Sequence, residues 1–144
     1  MRIINLPYMR TLAVFTVMLI PSCSNAEIIL TEKQADWPLD GRTHDNQRFS
    51  PLQQINSDNV GQLKLAWRYK TGKRATFQTS PIVIDGTMYL TTPFNDVIAL
   101  DAHSGKELWH YRHQLTSSNF CCGPANRGPA VAHGKVYTVT IDAR

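Results

Sequence analysis

PIVIDGTMYLT, residues 81–91, sets two short β-rich runs on either side of Asp85-Gly86. A two-residue turn that follows the twist of a β-hairpin needs left-handed backbone at both positions, which Asp and Gly tolerate. Asp-Gly between two such runs is therefore the strongest short-range hairpin signal. The same grammar returns at PAVAHGKVYTVT, residues 129–140, with a turn expected at His133-Gly134-Lys135. Pro81 and Pro129 open the two copies, 48 positions apart.

Working outward, Asp96-Val97-Ile98-Ala99-Leu100 and Glu107-Leu108-Trp109-His110-Tyr111 flank a turn at Asp101–Lys106, which predicts a second hairpin. Upstream, Leu63 to Lys70 alternates apolar and polar residues through Leu63, Leu65, Trp67 and Tyr69 and stops at Thr71-Gly72. That pattern predicts a half-buried strand followed by a turn. Four short strands in a period near ~40–50 residues favour a β-propeller over a sandwich. The chain holds little more than one such unit, whereas a propeller typically closes with ~4–8 blades. It also halts at Thr140-Ile141-Asp142-Ala143-Arg144, where the counterpart of Asp96–Leu100 is due. The reading is a truncated all-β chain whose sheets expect neighbours to cover them.

The first 26 residues read as an address. Arg2 and Arg10 form a basic start, Thr11–Ile20 is an apolar run of ten, and Pro21 precedes the short polar stretch to Ala26. This is the layout of a secretory signal peptide with cleavage after Ala26, and the run is too short for a membrane-spanning helix, which takes ~20 residues. Residues 27–62 are then an N-terminal lead and 63–144 the repeat region. Ile20-Pro21-Ser22-Cys23 loosely resembles a lipoprotein cleavage box, so acylation of Cys23 is the alternative to simple release into the periplasm.

The formal charge is +4 over 144 residues, but Arg2 and Arg10 belong to a stretch with no acid. Setting those two aside leaves 13 Lys and Arg against 11 Asp and Glu. Such a scattered balance gives no basic face for nucleic acid. With Cys23 assigned to the leader, the remaining cysteines are the neighbours Cys121 and Cys122. In an oxidising compartment they could close on each other, stay as thiols or bond to another chain. Zinc sites space their cysteines more widely, and His110 and His113, three apart at a strand end, read as solvated residues.

Residues 99–109, ALDAHSGKELW, resemble the tryptophan-docking motif of the PQQ-dependent (quinoprotein) alcohol dehydrogenases, in which Ala and Trp of successive blades pack and Asp and Gly shape the turn. Asp36-Trp37-Pro38-Leu39-Asp40-Gly41, Arg48-Phe49-Ser50-Pro51-Leu52, Gln54-Ile55-Asn56 and Asn59-Val60-Gly61-Gln62-Leu63 resemble the lead into that family's first blade. Cys121-Cys122 followed by Asn126-Arg127-Gly128 resembles its cofactor site.

The resemblance implies the N-terminal portion of an eight-bladed propeller that oxidises alcohols, or sugars, and passes electrons to a cytochrome c or a quinone. It makes Cys121 and Cys122 a disulfide platform under one face of pyrroloquinoline quinone (PQQ), and Arg127 the cation that polarises a quinone oxygen. Gln78 takes the place of a glutamate common in the family, and Ala125 approaches the cofactor through packing. The calcium or lanthanide ligands, the catalytic aspartate and the second stacking tryptophan belong to later blades, so the chain alone is expected to be inactive. A non-enzymatic propeller scaffold of the outer-membrane assembly type is the alternative. Cys121, Cys122 and Arg127 discriminate, since a scaffold has no use for a cofactor platform.

Overall fold

The computed structural model describes residues 35–116 and 121–143. Six strands form: β1 (Ile82–Ile84), β2 (Thr87–Thr91), β3 (Val97–Asp101), β4 (Glu107–Tyr111), β5 (Ala130–Ala132) and β6 (Lys135–Tyr137). β1 to β4 make an antiparallel meander in sequence order, and β5 and β6 make a separate hairpin. Among the described residues the only helical turns are short 3-10 pieces at Val60–Gln62 and Pro93–Asn95.

The turn chemistry accounts for both tight hairpins. Asp85 and Gly86 adopt φ of 47° and 72°, and His133 and Gly134 adopt 50° and 69°. Positive φ at both central positions is the two-residue hairpin solution. The second turn is thus one residue tighter than the sequence suggests, and Lys135 begins β6, paired with Ala132. Between β3 and β4 the turn is wider. Asp101 Oδ1 accepts from the backbone and hydroxyl of Ser104, both at 2.7 Å, and Gly105 N donates to Asp101 O at 2.8 Å. Asp and Gly therefore shape this turn, and the ladder carries an irregularity at Ala99/Leu100.

β3 is the buried centre. Ile98 and Ala99 are fully inaccessible, with Val97 and Leu100 nearly so. The buried run continues upstream through Thr91, Thr92, Asn95 and Asp96. The N-terminal lead closes the outer edge of β1: Trp37 and Val83 exchange backbone hydrogen bonds of 2.8 and 3.0 Å, and Asp36 Oδ1 accepts from Asp85 N at 3.0 Å.

Two expectations change. Residues 63–70 are not a strand: among the described residues no strand pairs with them, and Leu63 and Leu65 are exposed. Alternation specifies which side chains share a face, but a strand also needs a ladder for its N–H and C=O groups. The segment is held through side chains instead. Trp67 Nε1 donates to Ala102 O at 3.2 Å, the Trp67 ring lies on Gly105, and the Tyr69 hydroxyl bonds Glu107. The histidines are also not solvated. His110 lies inside β4 with Nε2 at 3.0 Å from Asp96, and His113 Nε2 lies 2.9 Å from Asp142; both side chains are largely buried. The leader and Cys23 fall outside the described residues.

Candidate cofactor site

The cysteine pair sits on the connection between β4 and β5. Both residues are exposed, and their Sγ atoms approach to 2.7 Å as free thiols. The Cys122 thiol is pushed up from its ordinary value chiefly by the hydrogen bond with Cys121 and by the charge that Cys121 would carry. A pair this close cannot readily hold two thiolates.

Around the pair the chain builds a cleft of about 660 Å³ lined by Gln78, Cys121, Cys122, Ala125, Arg127 and Ile141, with Gly123. All five residues singled out from the sequence therefore share one concavity, although Gln78 precedes the others by more than forty positions. Among the described residues no carboxylate lines it.

The walls are joined by the backbone. Ser80 N donates to Arg127 O at 2.9 Å, which brings the strand-leading segment 78–80 against 125–128. Gly128, at φ of 127°, lies so close that a Cβ would stand 2.7 Å from Ser80 O, so a side chain there would force the walls apart. Phe94 N donates to Pro124 O at 2.9 Å, fixing the loop to the 3-10 turn before β3.

Two polar side chains brace the loop: Asn126, which the sequence reading quoted only as part of the Asn-Arg-Gly motif, and Asp142, to which it gave no role. Asn126 is buried and donates through Nδ2 to Asn95 Oδ1 and to Val139 O, both at 2.9 Å, while its Oδ1 accepts from Gly128 N at 3.1 Å. The last of these is an Asx turn, for which Asn-Arg-Gly is itself the sequence signal. Asp142 accepts from Thr116 N at 3.1 Å and Thr116 Oγ1 at 3.0 Å, and meets His113. Hydrogen bonds from Thr140, Thr116 and His113 hold its carboxyl well below the usual range against the opposing effect of burial. These partners lie 26 and 29 positions away, which no local pattern reveals.

A second ionic cluster stands apart from the cleft lining. Burial alone would raise the Asp96 carboxyl, but Lys73 Nζ at 2.9 Å and His110 Nε2 at 3.0 Å outweigh it and hold the pKa below its ordinary 3.8. Among the described residues no group of three or more His, Cys, Asp and Glu is arranged to hold a metal ion.

Known proteins carry the same arrangement of sequence. The chain is 47% identical over 125 residues to quinohemoprotein alcohol dehydrogenase ADH-IIG of Pseudomonas putida, covering 83% of this chain and 17% of that protein. It is 41% identical over 112 residues to 1-butanol dehydrogenase (cytochrome c) of Thauera butanivorans, covering 76% and 16%. Among solved structures it is similar to a europium-containing methanol dehydrogenase, with a TM-score of 0.67, 35% identity, and coverage of 73% and 19%. The chain thus spans less than a fifth of the length of these relatives. The sequence profile of the glucose/ethanol/alcohol dehydrogenase β-propeller domain matches residues 37–144, and that match, with the four-stranded meander and the following hairpin, shows that the chain belongs to the PQQ-linked glucose/ethanol/alcohol dehydrogenase β-propeller family.

Proposed function

We propose that the chain supplies one wall of a PQQ site in a dehydrogenase that oxidises small alcohols and passes the electrons to a cytochrome c or a quinone. The observation that carries this is the convergence of Gln78, Cys121, Cys122, Ala125 and Arg127 on one cleft. The donor set fits the cofactor. PQQ is flat and carries several carboxylates, and the cleft offers a guanidinium, an amide and a sulfur platform, with no opposing acid among the described residues. When bound, PQQ supplies the two-electron acceptor chemistry.

The roles of the residues follow from that fit. Arg127 holds a fixed positive charge toward a quinone oxygen, where charge builds during oxidation, and removing such a preorganised donor from an active site costs on the order of 10²–10³ in rate. Cys121 and Cys122, oxidised to a small ring in the periplasm, cover one face and exclude water. Gln78 donates to a cofactor oxygen and Ala125 fills space. A calcium or lanthanide ion would be held by other parts of the full propeller. Residues 1–26 direct export, and Cys23 offers the lipid-anchored variant of the same destination.

A chimera tests the reading. Residues 35–143 replace the matching segment of the Pseudomonas putida relative, and PQQ-dependent oxidation of a primary alcohol is followed with an artificial acceptor. The expected result is a PQQ-loaded, active protein in which Arg127→Ala lowers kcat by about 100-fold. A chimera that folds but takes up no PQQ, or is indifferent to Arg127→Ala, overturns it.

A further inference from the structure

We infer that Asn126 is the positioning residue for Arg127, an inference that rests on the PQQ reading of the cleft. Its neighbours Ala125 and Arg127 both line the cleft, while Asn126 does not and is buried. Its Oδ1 takes Gly128 N and so closes an Asx turn around Arg127, and fixing Asn126 fixes the backbone on which Arg127 stands.

The fixing is thorough. Both amide donors are used, on Asn95 Oδ1 and on Val139 O, and the amide oxygen takes Gly128 N. Those bonds reach three parts of the site. Val139 is two residues from Ile141 on the far wall. Gly128 is the close-approach residue against Ser80, two residues from Gln78. Asn95 belongs to the 3-10 turn whose Phe94 holds Pro124 of the cysteine loop. One buried amide therefore couples the segments that carry Gln78, the cysteine pair, Arg127 and Ile141. Within it the Asn126 amide makes all of these bonds while Asn95 Nδ2 finds no partner among the described residues, and no aliphatic side chain can replace the two donors and the acceptor of Asn126. Arg127, exposed and with a long flexible stem, depends on its backbone being aimed in this way.

The test is an equilibrium titration with PQQ of the chimera that carries residues 35–143, unsubstituted and as Asn126→Ala, Arg127→Ala and the double variant, with amide spectra of β1–β4 recorded alongside. Asn126→Ala is expected to weaken PQQ by roughly tenfold or more, and the loss is expected to be clearly smaller in the Arg127→Ala background, since contacting groups couple and independent ones add. Asn126→Asp, which keeps the acceptor for Gly128 and gives up both donors, serves if the alanine variant does not fold, and the same coupling is expected of it. Native-like affinity in the Asn126 variants, losses that simply multiply with Arg127→Ala, or a perturbed β1–β4 sheet would each overturn the positioning role while leaving the PQQ reading intact. Failure of the unsubstituted chimera to bind PQQ, visible before any substitution, overturns the PQQ reading and this inference with it.

Discussion

Gly105 and Trp67 meet at the turn between β3 and β4, and the contact shows how much a single residue decides. Gly105 has φ of 71°, and a Cβ there would fall 2.4 Å from the Trp67 ring. Gly105→Ala therefore meets both a strained backbone and a clash with an indole, and is expected to destabilise the sheet by about 1–3 kcal/mol. Urea unfolding followed by circular dichroism checks it, and an unchanged midpoint would show that the ring is free to move away. The docking tryptophan on this turn is Trp67, which reaches it from outside the sheet, while Trp109 pairs with Ala99 across β3 and β4 and packs against Tyr89 at 6.1 Å. At this scale the sequence was legible where chemistry is local. The adjacent cysteines, the Asp101 and Gly105 turn and Arg127 can all be read from neighbours along the chain. His110 and His113 could not, because their acids lie 14 and 29 positions away and only folding brings them together.

The strands show the same division between local and distant causes. The hairpins at Asp85-Gly86 and His133-Gly134 were legible because turn geometry is written in two residues. Leu63–Lys70 was not, because its alternation is silent about whether a ladder partner is present. Asp96 ties β3 to β4 through His110 and draws in Lys73, so its ionisation bears on the pairing of these elements. The native carboxyl lies below its ordinary 3.8. A depressed native pKa contributes stability that is fully present above about pH 4 and is lost as the pH falls through the native value. Acid unfolding of the sheet is thus expected below pH ~4, and Asp96→Asn is expected to flatten that part of the pH profile while lowering stability at neutral pH. Circular dichroism between neutral pH and pH ~2 measures it. A steep acid transition that survives in Asp96→Asn would assign the effect to another carboxylate, with Asp142 next in line.

Over the whole molecule, the buried apolar core is small and centred on β3, while Leu63, Leu65, Leu108, Trp109, Tyr111, Tyr137 and Val139 stand exposed. Trp109 and Tyr111 face Val136 and Tyr137 across a gap of about 460 Å³ between the meander and the second hairpin. Faces of this kind are what blades present to one another in a ring. The family was legible in the repeat and in the motifs of residues 36–128, and the cleft shows why those motifs belong together: segments far apart in sequence form one wall. The bonds of Asn126 to Asn95 and Val139 and those of Asp142 to Thr116 and His113 lie beyond such reading, since only the folded chain makes them, whereas the Asx turn at Asn126 is local.

The most direct test of that wall is a titration with PQQ of the chimera that carries residues 35–143, before and after reduction with a phosphine. Saturable binding to the oxidised protein that weakens on reduction, and weakens again in Arg127→Ala, is the predicted result. No binding in either state, or binding indifferent to both the thiols and Arg127, would contradict it.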